Sequence, residues 1–290
     1  MTINKNGSEI EISGFSDFDL SKTFECGQCF RWNKDDTGAY TGIAYGHATK
    51  LKQINGKIYI TCVNEEFETV WRSYFDLGRD YASIRRQLGI DGFMECATTF
   101  GAGIRILRQD KWEALCSFII SQNNNITRIK SIVDKLCRDF GDTINFEGKT
   151  LYTFPSAERL VAAGVDELAS LRCGYRAEYI IGAAKMVADR KVDLDVLADC
   201  PPETIRTALK TIRGVGDKVA DCVMLFGFHK LDVFPLDVWM KRAVALNYGP
   251  GFDPKVFSPY AGIAQQYIFH YIRNLNPLNH ALSSKDFLLT

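Results

Sequence analysis

Apolar and polar residues alternate early in the chain. Glu9-Ile10-Glu11-Ile12 repeats with a period of two, and Tyr40-Thr41-Gly42-Ile43-Ala44-Tyr45 and Lys50-Leu51-Lys52-Gln53-Ile54 are also strand-like. Asn55-Gly56 then leads into Lys57-Ile58-Tyr59-Ile60-Thr61-Cys62. Asn-Gly between alternating segments predicts a hairpin, because a type I′ turn needs positive φ at both central residues. Asp35-Asp36-Thr37-Gly38 marks another turn, so this part reads as an antiparallel meander followed by helices around 65–75 and 79–88. From about residue 104 the apolar spacing becomes helical and the β pattern does not return. Trp112, Leu115, Cys116 and Ile119 fall on one face; Ile129, Ile132, Val133 and Leu136 do likewise. So do Tyr179, Ile180, Ala183 and Val187, and later Val256, Tyr260, Ile263, Tyr267 and Tyr271. Gly, Pro, Asn and Asp punctuate these runs, and there is no long repeat or low-complexity linker. The expected fold is α+β, with an antiparallel sheet domain over 1–103 and a helical domain over 104–290.

Composition narrows the class. The chain has 290 residues, 46% of them hydrophobic, enough for two domains or one large one. No apolar run approaches the roughly 18 residues of a membrane span, and the first residues open no signal-peptide core. Nine cysteines without a secretory signal point to a reducing cytoplasm rather than a disulfide framework. Cys26 and Cys29 have the spacing of a zinc or redox pair, but no second CxxC completes a structural zinc site, so no metal is expected there. No cysteine follows Cys222, which excludes a C-terminal iron–sulfur cluster. The 35 basic residues balance 35 acidic ones, which on its face argues against a partner held by bulk charge.

The chemically informative stretch runs from Leu209 to Cys222. A helix is expected to end at Arg213, Gly214-Val215-Gly216 to turn, and a second helix to start at once, making a helix-hairpin-helix over about 204–226. Two glycines around one apolar residue expose backbone N–H groups at a helix N-terminus, a ready anion site. A plain αα turn explains the same residues. Lys218 favours the functional reading, since the positive end of a helix dipole disfavours another cation and favours a neutral amine nucleophile. Val215, Val219, Val223 and Phe226 form the core stripe, while Lys218 and Cys222, four apart, look out together from the next stripe. Asp237 follows Phe234-Pro235-Leu236 where a helix N-cap belongs. It is a cap, and it is also a carboxylate able to face developing positive charge.

This constellation resembles the helix-hairpin-helix-Gly/Pro-Asp superfamily of DNA glycosylases, and within it the 8-oxoguanine DNA glycosylase branch. The resemblance covers nearly the whole chain. Matching stretches are Cys26-Gly27-Gln28-Cys29-Phe30-Arg31-Trp32, Ser121 to Arg128, Gly174-Tyr175-Arg176-Ala177, Val215 to Cys222, and Pro259 to Gln265. The resemblance implies that Lys218 attacks C1′ of the damaged nucleotide and forms an imine, with Asp237 steadying the transition state. It implies that Phe269 and Cys222 sandwich the flipped base. Gln265 would read its polar edge, and the Gly27 carbonyl would accept from the N7–H that 8-oxoguanine has and guanine lacks. Asn123 would fill the gap in the duplex, Tyr175 would wedge the kink, and Arg128 and Arg176 would bond the opposite cytosine. Blander readings exist for each: Asn124 and its neighbours as an Asx-turn loop, the Tyr-Arg pair as a solvated helix start, Phe269 as core. One departure stands out: Trp239 takes the place of a histidine common in eukaryotic members, and His270 and Arg273 receive no role from the resemblance.

The expected activity is therefore a bifunctional glycosylase and lyase on duplex DNA containing 8-oxoguanine. No cofactor is required, an ion at the hairpin is left open, and a cytoplasmic monomer with no membrane partner is expected. Rival readings are a glycosylase for alkylated purines or oxidised pyrimidines, a non-catalytic DNA-binding module, and a Schiff-base metabolic enzyme. The last lacks the strand–helix repeat of a barrel. The neutral charge then takes a different meaning. Residues 1–100 hold 11 basic and 14 acidic residues, whereas 204–245 holds 7 and 4. DNA binding is expected to rest on few phosphate contacts, with a shallow salt dependence.

Overall fold

A computed structural model describes residues 1–14 and 17–274; the last 16 residues of the expected helical domain lie outside the described residues. Six strands form one antiparallel sheet: β1 (Thr2–Asn6), β2 (Glu9–Ser13), β3 (Asn33–Lys34), β4 (Tyr40–Ala44), β5 (His47–Ile54) and β6 (Lys57–Thr61). Their order is β1-β2-β6-β5-β4-β3. The expected meander holds for β3 to β6. The β1–β2 hairpin then adds to its β6 edge, so β2 and β6 are neighbours although distant in sequence. Register explains the alternation. Ile10 pairs with Ile60 and Ile12 with Ile58, and all four side chains point to the same buried face.

Aromatic residues cover that face. Phe24, from α1 (Leu20–Glu25), stacks on Trp32 at 4.2 Å, and Trp71 stacks on Phe75 at 5.8 Å. Trp32 donates its indole N–H to the Tyr74 hydroxyl at 2.9 Å, which satisfies a buried donor. Trp71, Tyr74 and Phe75 come from a continuous helical stretch in which α2 (Asn64–Glu66) and α3 (Arg72–Tyr74) flank a π-helical turn over Phe67–Trp71.

The second core is helical. It is built on α4 (Tyr81–Leu88), α5 (Gly92–Phe100), α6 (Lys111–Ser121), α7 (Ile126–Phe140), α8 (Ala157–Glu167) and α9 (Arg176–Ala188). It continues with α10 (Leu194–Ala198), α11 (Pro202–Lys210), α12 (Asp217–Phe226), α13 (Val238–Tyr248) and α14 (Ala261–Asn274). α4 and α5 precede residue 104 yet bury Tyr81, Ile84, Leu88, Met94 and Ala97 in this helical core. The extended segment that follows joins both layers: Ile104 and Ile106 face the helical core, and Leu107 faces the sheet core. Arg105, 1% exposed between them, donates to the carbonyls of Phe75, Asp17, Asp76 and Arg79. A buried guanidinium is tolerated there because backbone oxygens take its donors.

Two expectations need correction, and one helix had no expectation. The β pattern does return: β7 (Thr143–Phe146) and β8 (Lys149–Tyr152) form a hairpin around Glu147-Gly148, whose φ values of 47° and 73° suit a type I′ turn. No helix was expected over α5; Asp91 caps it, accepting from the Met94 amide at 2.8 Å. The stripe from Val256 is also interrupted. Pro259 cannot lie inside a helix, so Val256 sits in a 3₁₀ turn and α14 begins only at Ala261. Among the described residues no helix is long and apolar enough to cross a membrane.

Candidate active site

The hairpin is tighter than its sequence suggested. α11 stops at Lys210, not Arg213, because Thr211 and Ile212 donate to carbonyls three residues back and close the helix with a narrower turn. Gly214 then adopts φ +88°, and α12 starts at Asp217 with Gly216 as its N-cap. A Cβ on Gly214 would lie 2.3 Å from the Tyr179 ring, so α9 packs against the turn where only glycine fits. Val215 turns inward, and its amide donates to Ile212 at 3.0 Å; Gly214 and Gly216 donate to no backbone carbonyl among the described residues.

From this start α12 carries Lys218 and Cys222 on one stripe, as the spacing requires. The stripe does not look out to solvent. Cys222 is buried, and both residues line a narrow cavity with Gly27, Phe118, Asp237, Gln265 and Phe269. The Lys218 ammonium stands 5.4 Å from the centroid of the Phe118 ring, a cation–π distance. Burial pushes the Cys222 thiol up; the bond and charge of Lys218 oppose that shift and the charge of Asp237 adds to it. Those three groups therefore share one electrostatic environment.

Asp237 reaches the cavity from the start of α13. Its carboxylate accepts the Met240 amide at 2.8 Å, so the cap and the cavity-facing acid are the same group. Gln265 and Phe269 enter from α14, one turn apart. Gln265 is 5% exposed, and its Oε1 has no hydrogen-bond partner among the described residues. A buried unpaired carbonyl costs about 1–3 kcal/mol, which a bound donor would recover.

Gly27 has φ +87°, and its loop is held from several sides. Gln28 is fully buried: its amide nitrogen donates to Thr23 and Arg105, and its amide oxygen accepts from Leu107 at 2.9 Å. Gln266, beside Gln265, donates to the Cys26 carbonyl at 3.0 Å and ties α14 to this loop. The Cys26 and Cys29 thiols each donate to a carbonyl of the preceding helix.

The residues expected at the opposite strand form a second group. Asn123 is exposed with φ 46°, just before α7, which Asn125 caps by accepting the Arg128 amide. Arg128 is exposed and donates to the Arg172 carbonyl at 3.1 Å. Tyr175 is 51% exposed, whereas Arg176 is buried and donates to the carbonyls of Gln122, Asn123 and Cys173. Arg176 thus holds the loop that presents Asn123. The Arg176 guanidinium also lies 4.7 Å from the Tyr175 ring, and Tyr175 meets Tyr179 edge-on at 5.5 Å. Since Tyr179 packs on Gly214, hairpin and second group are one contiguous surface.

Sequence reasoning missed part of the cavity. Phe118, Phe226, Pro235 and Gln266 also line it. Phe118 and Phe226 stack at 5.3 Å and follow ordinary core spacing, so nothing in the sequence separates them from structural residues. Gln266 could have been found: two glutamines interrupt an otherwise apolar helix face. Trp239 is half-buried at the start of α13 and does not line the cavity. Among the described residues no group of three or more His, Cys, Asp or Glu could hold a metal ion.

Comparison with known proteins agrees with this geometry. Residues 12–115 match the 8-oxoguanine DNA glycosylase N-terminal domain, and residues 116–253 match the HhH-GPD superfamily base excision DNA repair protein. The chain is 32% identical to the N-glycosylase/DNA lyase of Saccharomyces cerevisiae, over 80% of this chain and 69% of that one. It is 31% identical to the N-glycosylase/DNA lyase OGG1 of Arabidopsis thaliana, over 86% and 76%. The structure of MBOgg1 in complex with a low affinity DNA ligand superposes with a TM-score of 0.90 at 43% identity, covering 94% of this chain and 98% of that one. The Clostridium acetobutylicum 8-oxoguanine glycosylase/lyase, bound to duplex DNA with cytosine opposite 8-oxoguanine, gives 0.89 at 34% identity, covering 95% and 99%. Sequence motifs, fold and relatives coincide, and the chain belongs to the 8-oxoguanine DNA glycosylase family of bifunctional N-glycosylase/DNA lyases, within the HhH-GPD superfamily of base excision repair proteins.

Proposed function

We propose that this protein excises 8-oxoguanine, preferentially opposite cytosine, from duplex DNA and then cleaves the strand through a Schiff base on Lys218. The observation that carries the reading is the convergence of Gly27, Lys218, Cys222, Asp237, Gln265 and Phe269 on one cavity from four stretches of chain.

The cavity measures about 50 Å³. That is room for one or two waters at about 30 Å³ each, not for a purine. Phe269 and Cys222 must part to admit the flipped base between them. Inside, the unpaired Gln265 Oε1 accepts from the base's Watson–Crick edge, and the Gly27 carbonyl accepts N7–H. Guanine has no hydrogen at N7 and leaves that carbonyl unpaired, which is the kind of difference that discriminates bases strongly.

Chemistry follows from the remaining two groups. Lys218 gives up its ammonium proton to solvent and attacks C1′ as the amine; the C1′–N9 bond breaks, and its electron pair leaves with the base, which takes up a proton. The adduct nitrogen then loses its protons and forms C=N as the C1′–O4′ bond opens, the bonding pair staying on O4′, which takes up a proton, to give the imine. Removal of a proton from C2′ then expels the 3′ phosphate as the C3′–O bond breaks. The Asp237 carboxylate, fixed by its cap bond, faces the positive charge that develops at the sugar. Asn123 fills the vacated position in the duplex and Tyr175 wedges the kink. Arg128 and Arg176 read the orphaned cytosine, Arg176 from a guanidinium already fixed by the Asn123 loop.

Borohydride trapping tests the reading. A duplex holding 8-oxoguanine opposite cytosine should give a covalent adduct with the wild-type protein and none with Lys218→Gln. No adduct in the wild type, or equal trapping by the variant, would overturn it.

A further inference from the structure

Behind Phe269 lies a second and wider cleft. It measures about 310 Å³ and is lined by polar residues of α1 and α14, among them Lys22, Glu25, His270 and Arg273. The mechanism above uses none of these four.

Arg273 stands on the rim between the cleft and the base cavity. Its guanidinium lies 5.2 Å from the centroid of the Phe269 ring. One of its nitrogens is 3.6 Å from where a Cβ on Gly27 would sit. Lys22 is held in place by the carbonyls of Phe100 and Ala102, at 2.8 and 3.0 Å, which fix the ammonium without neutralising it. Among the described residues no carboxylate forms an ion pair with Lys22 or Arg273, and Glu25 accepts instead from the Tyr40 hydroxyl. The His270 ring packs beside Phe100 at 5.2 Å. Burial holds its pKa below the ordinary histidine value; the charges of Lys22 and Arg273 lower it further, against an opposing effect of Asp19. Two cations, Lys22 held by its carbonyls and Arg273 over the Phe269 ring, thus outnumber the single lining carboxylate of Glu25 and share the cleft with an imidazole, which is the composition of a phosphate site.

Geometry says which phosphate. A nucleotide whose base lies against Phe269 remains tethered to its neighbours by two phosphodiesters, which must leave the cavity over its rim. Arg273 forms that rim on the Gly27 side. We propose that Arg273, Lys22 and His270 form a clamp for the DNA backbone phosphate flanking the everted nucleotide, so that backbone and lesion are gripped on opposite faces of Phe269. The proposal rests on the base-flipping reading above.

Salt dependence supplies the test. One phosphate contact contributes about 0.9 to the slope of log affinity against log salt. In a Lys218→Gln background, to prevent turnover, affinity should be measured for a duplex carrying 8-oxoguanine opposite cytosine. Between 50 and 200 mM salt, adding Arg273→Gln should remove about 3.5-fold of the loss in affinity, while Arg273→Lys keeps the full slope. A methylphosphonate linkage beside the lesion should flatten the slope of the parent and leave Arg273→Gln unchanged. Binding to undamaged duplex should keep its slope in every variant. If Arg273 only backs Phe269, both variants lose affinity at an unchanged slope, and the clamp is wrong. If inorganic phosphate shifts the His270 resonances but the methylphosphonate has no effect, the cleft holds a free anion, and the proposal also fails. Failure of the base-flipping reading is separate: it shows as absent borohydride trapping by the enzyme with Lys218 intact.

Discussion

Gly214→Ala probes the link between hairpin and scaffold. The new Cβ would stand 2.3 Å from the Tyr179 ring, well inside van der Waals contact, and at φ +88°. A left-handed alanine costs about 1–2 kcal/mol, and forcing a methyl into a packed site costs about 1–3 kcal/mol. The two together predict a loss of about 2–5 kcal/mol, or a fall in Tm of at least roughly 4 °C for a chain of this size. The two parts separate in a double-mutant cycle. Tyr179→Ala removes the contact but not the backbone strain, so adding it to Gly214→Ala should recover about 1–3 kcal/mol as coupling energy. Thermal and urea unfolding of the four proteins measures it. DNA affinity should fall with Gly214→Ala as well, because the displaced turn no longer aims the amides of Gly214 and Gly216 outward. A Tm within about 1 °C of wild type would refute the claim that Tyr179 and the positive φ together demand glycine. Strict additivity of the two substitutions would refute the contact alone.

Asp237→Asn should keep its fold, because asparagine caps helices about as well as aspartate, while single-turnover base excision slows by roughly 10²–10³-fold. A normal rate with unchanged Tm would remove the carboxylate from the chemistry. Excision of 8-oxoguanine should be faster opposite cytosine than opposite adenine, and Arg128→Ala should narrow that difference; equal rates in the wild type would remove Arg128 and Arg176 as readers. Stability should decline in mild acid. Burial holds the pKa of His229 below its ordinary value, so below about pH 6.5 the unfolded chain binds the proton more readily than the folded one. Burial by itself would raise the Asp76 carboxyl, but bonds from His229 and Arg79 outweigh it and hold the pKa well below the carboxylate range, so this contribution persists until much lower pH. His229→Asn should remove the part of the decline between about pH 7 and 5 in thermal unfolding; an unchanged pH profile would show that His229 is not its source.

Local patterning decided much of this protein. Alternation at Glu9–Ile12 and the Asn55-Gly56 turn specify strands because side chains alternate across a sheet, and the same alternation decides which face of each strand is buried. Asp237 was legible as a cap for a similarly local reason, its carboxylate bonding an amide three residues on. The glycines around Val215, followed by a lysine in the first turn of a helix, mark an anion-facing turn and a candidate nucleophile within eight residues of chain.

What depends on distant contacts was not legible. β2 joins β6 through pairing that no local signal encodes, and β7–β8 is a short hairpin whose turn chemistry alone distinguishes it from a loop. Phe118 and Phe226 have the spacing of core residues and only the packing of α6 against α12 turns them into cavity walls. Arg176 was expected to bond the opposite cytosine, with a solvated helix start as the blander reading, yet its guanidinium is buried against the carbonyls of Gln122 and Asn123, which take its donors. The same holds for Arg273: its sequence is an unremarkable basic residue late in a helix, and its place on the rim of the base cavity exists only because α14 lies against the Gly27 loop. The sequence alone determined which groups carry the chemistry, since reactivity resides in side-chain type and local helix position. Tertiary structure decided what those groups face, because a cavity is formed by segments whose sequence separation leaves no local trace.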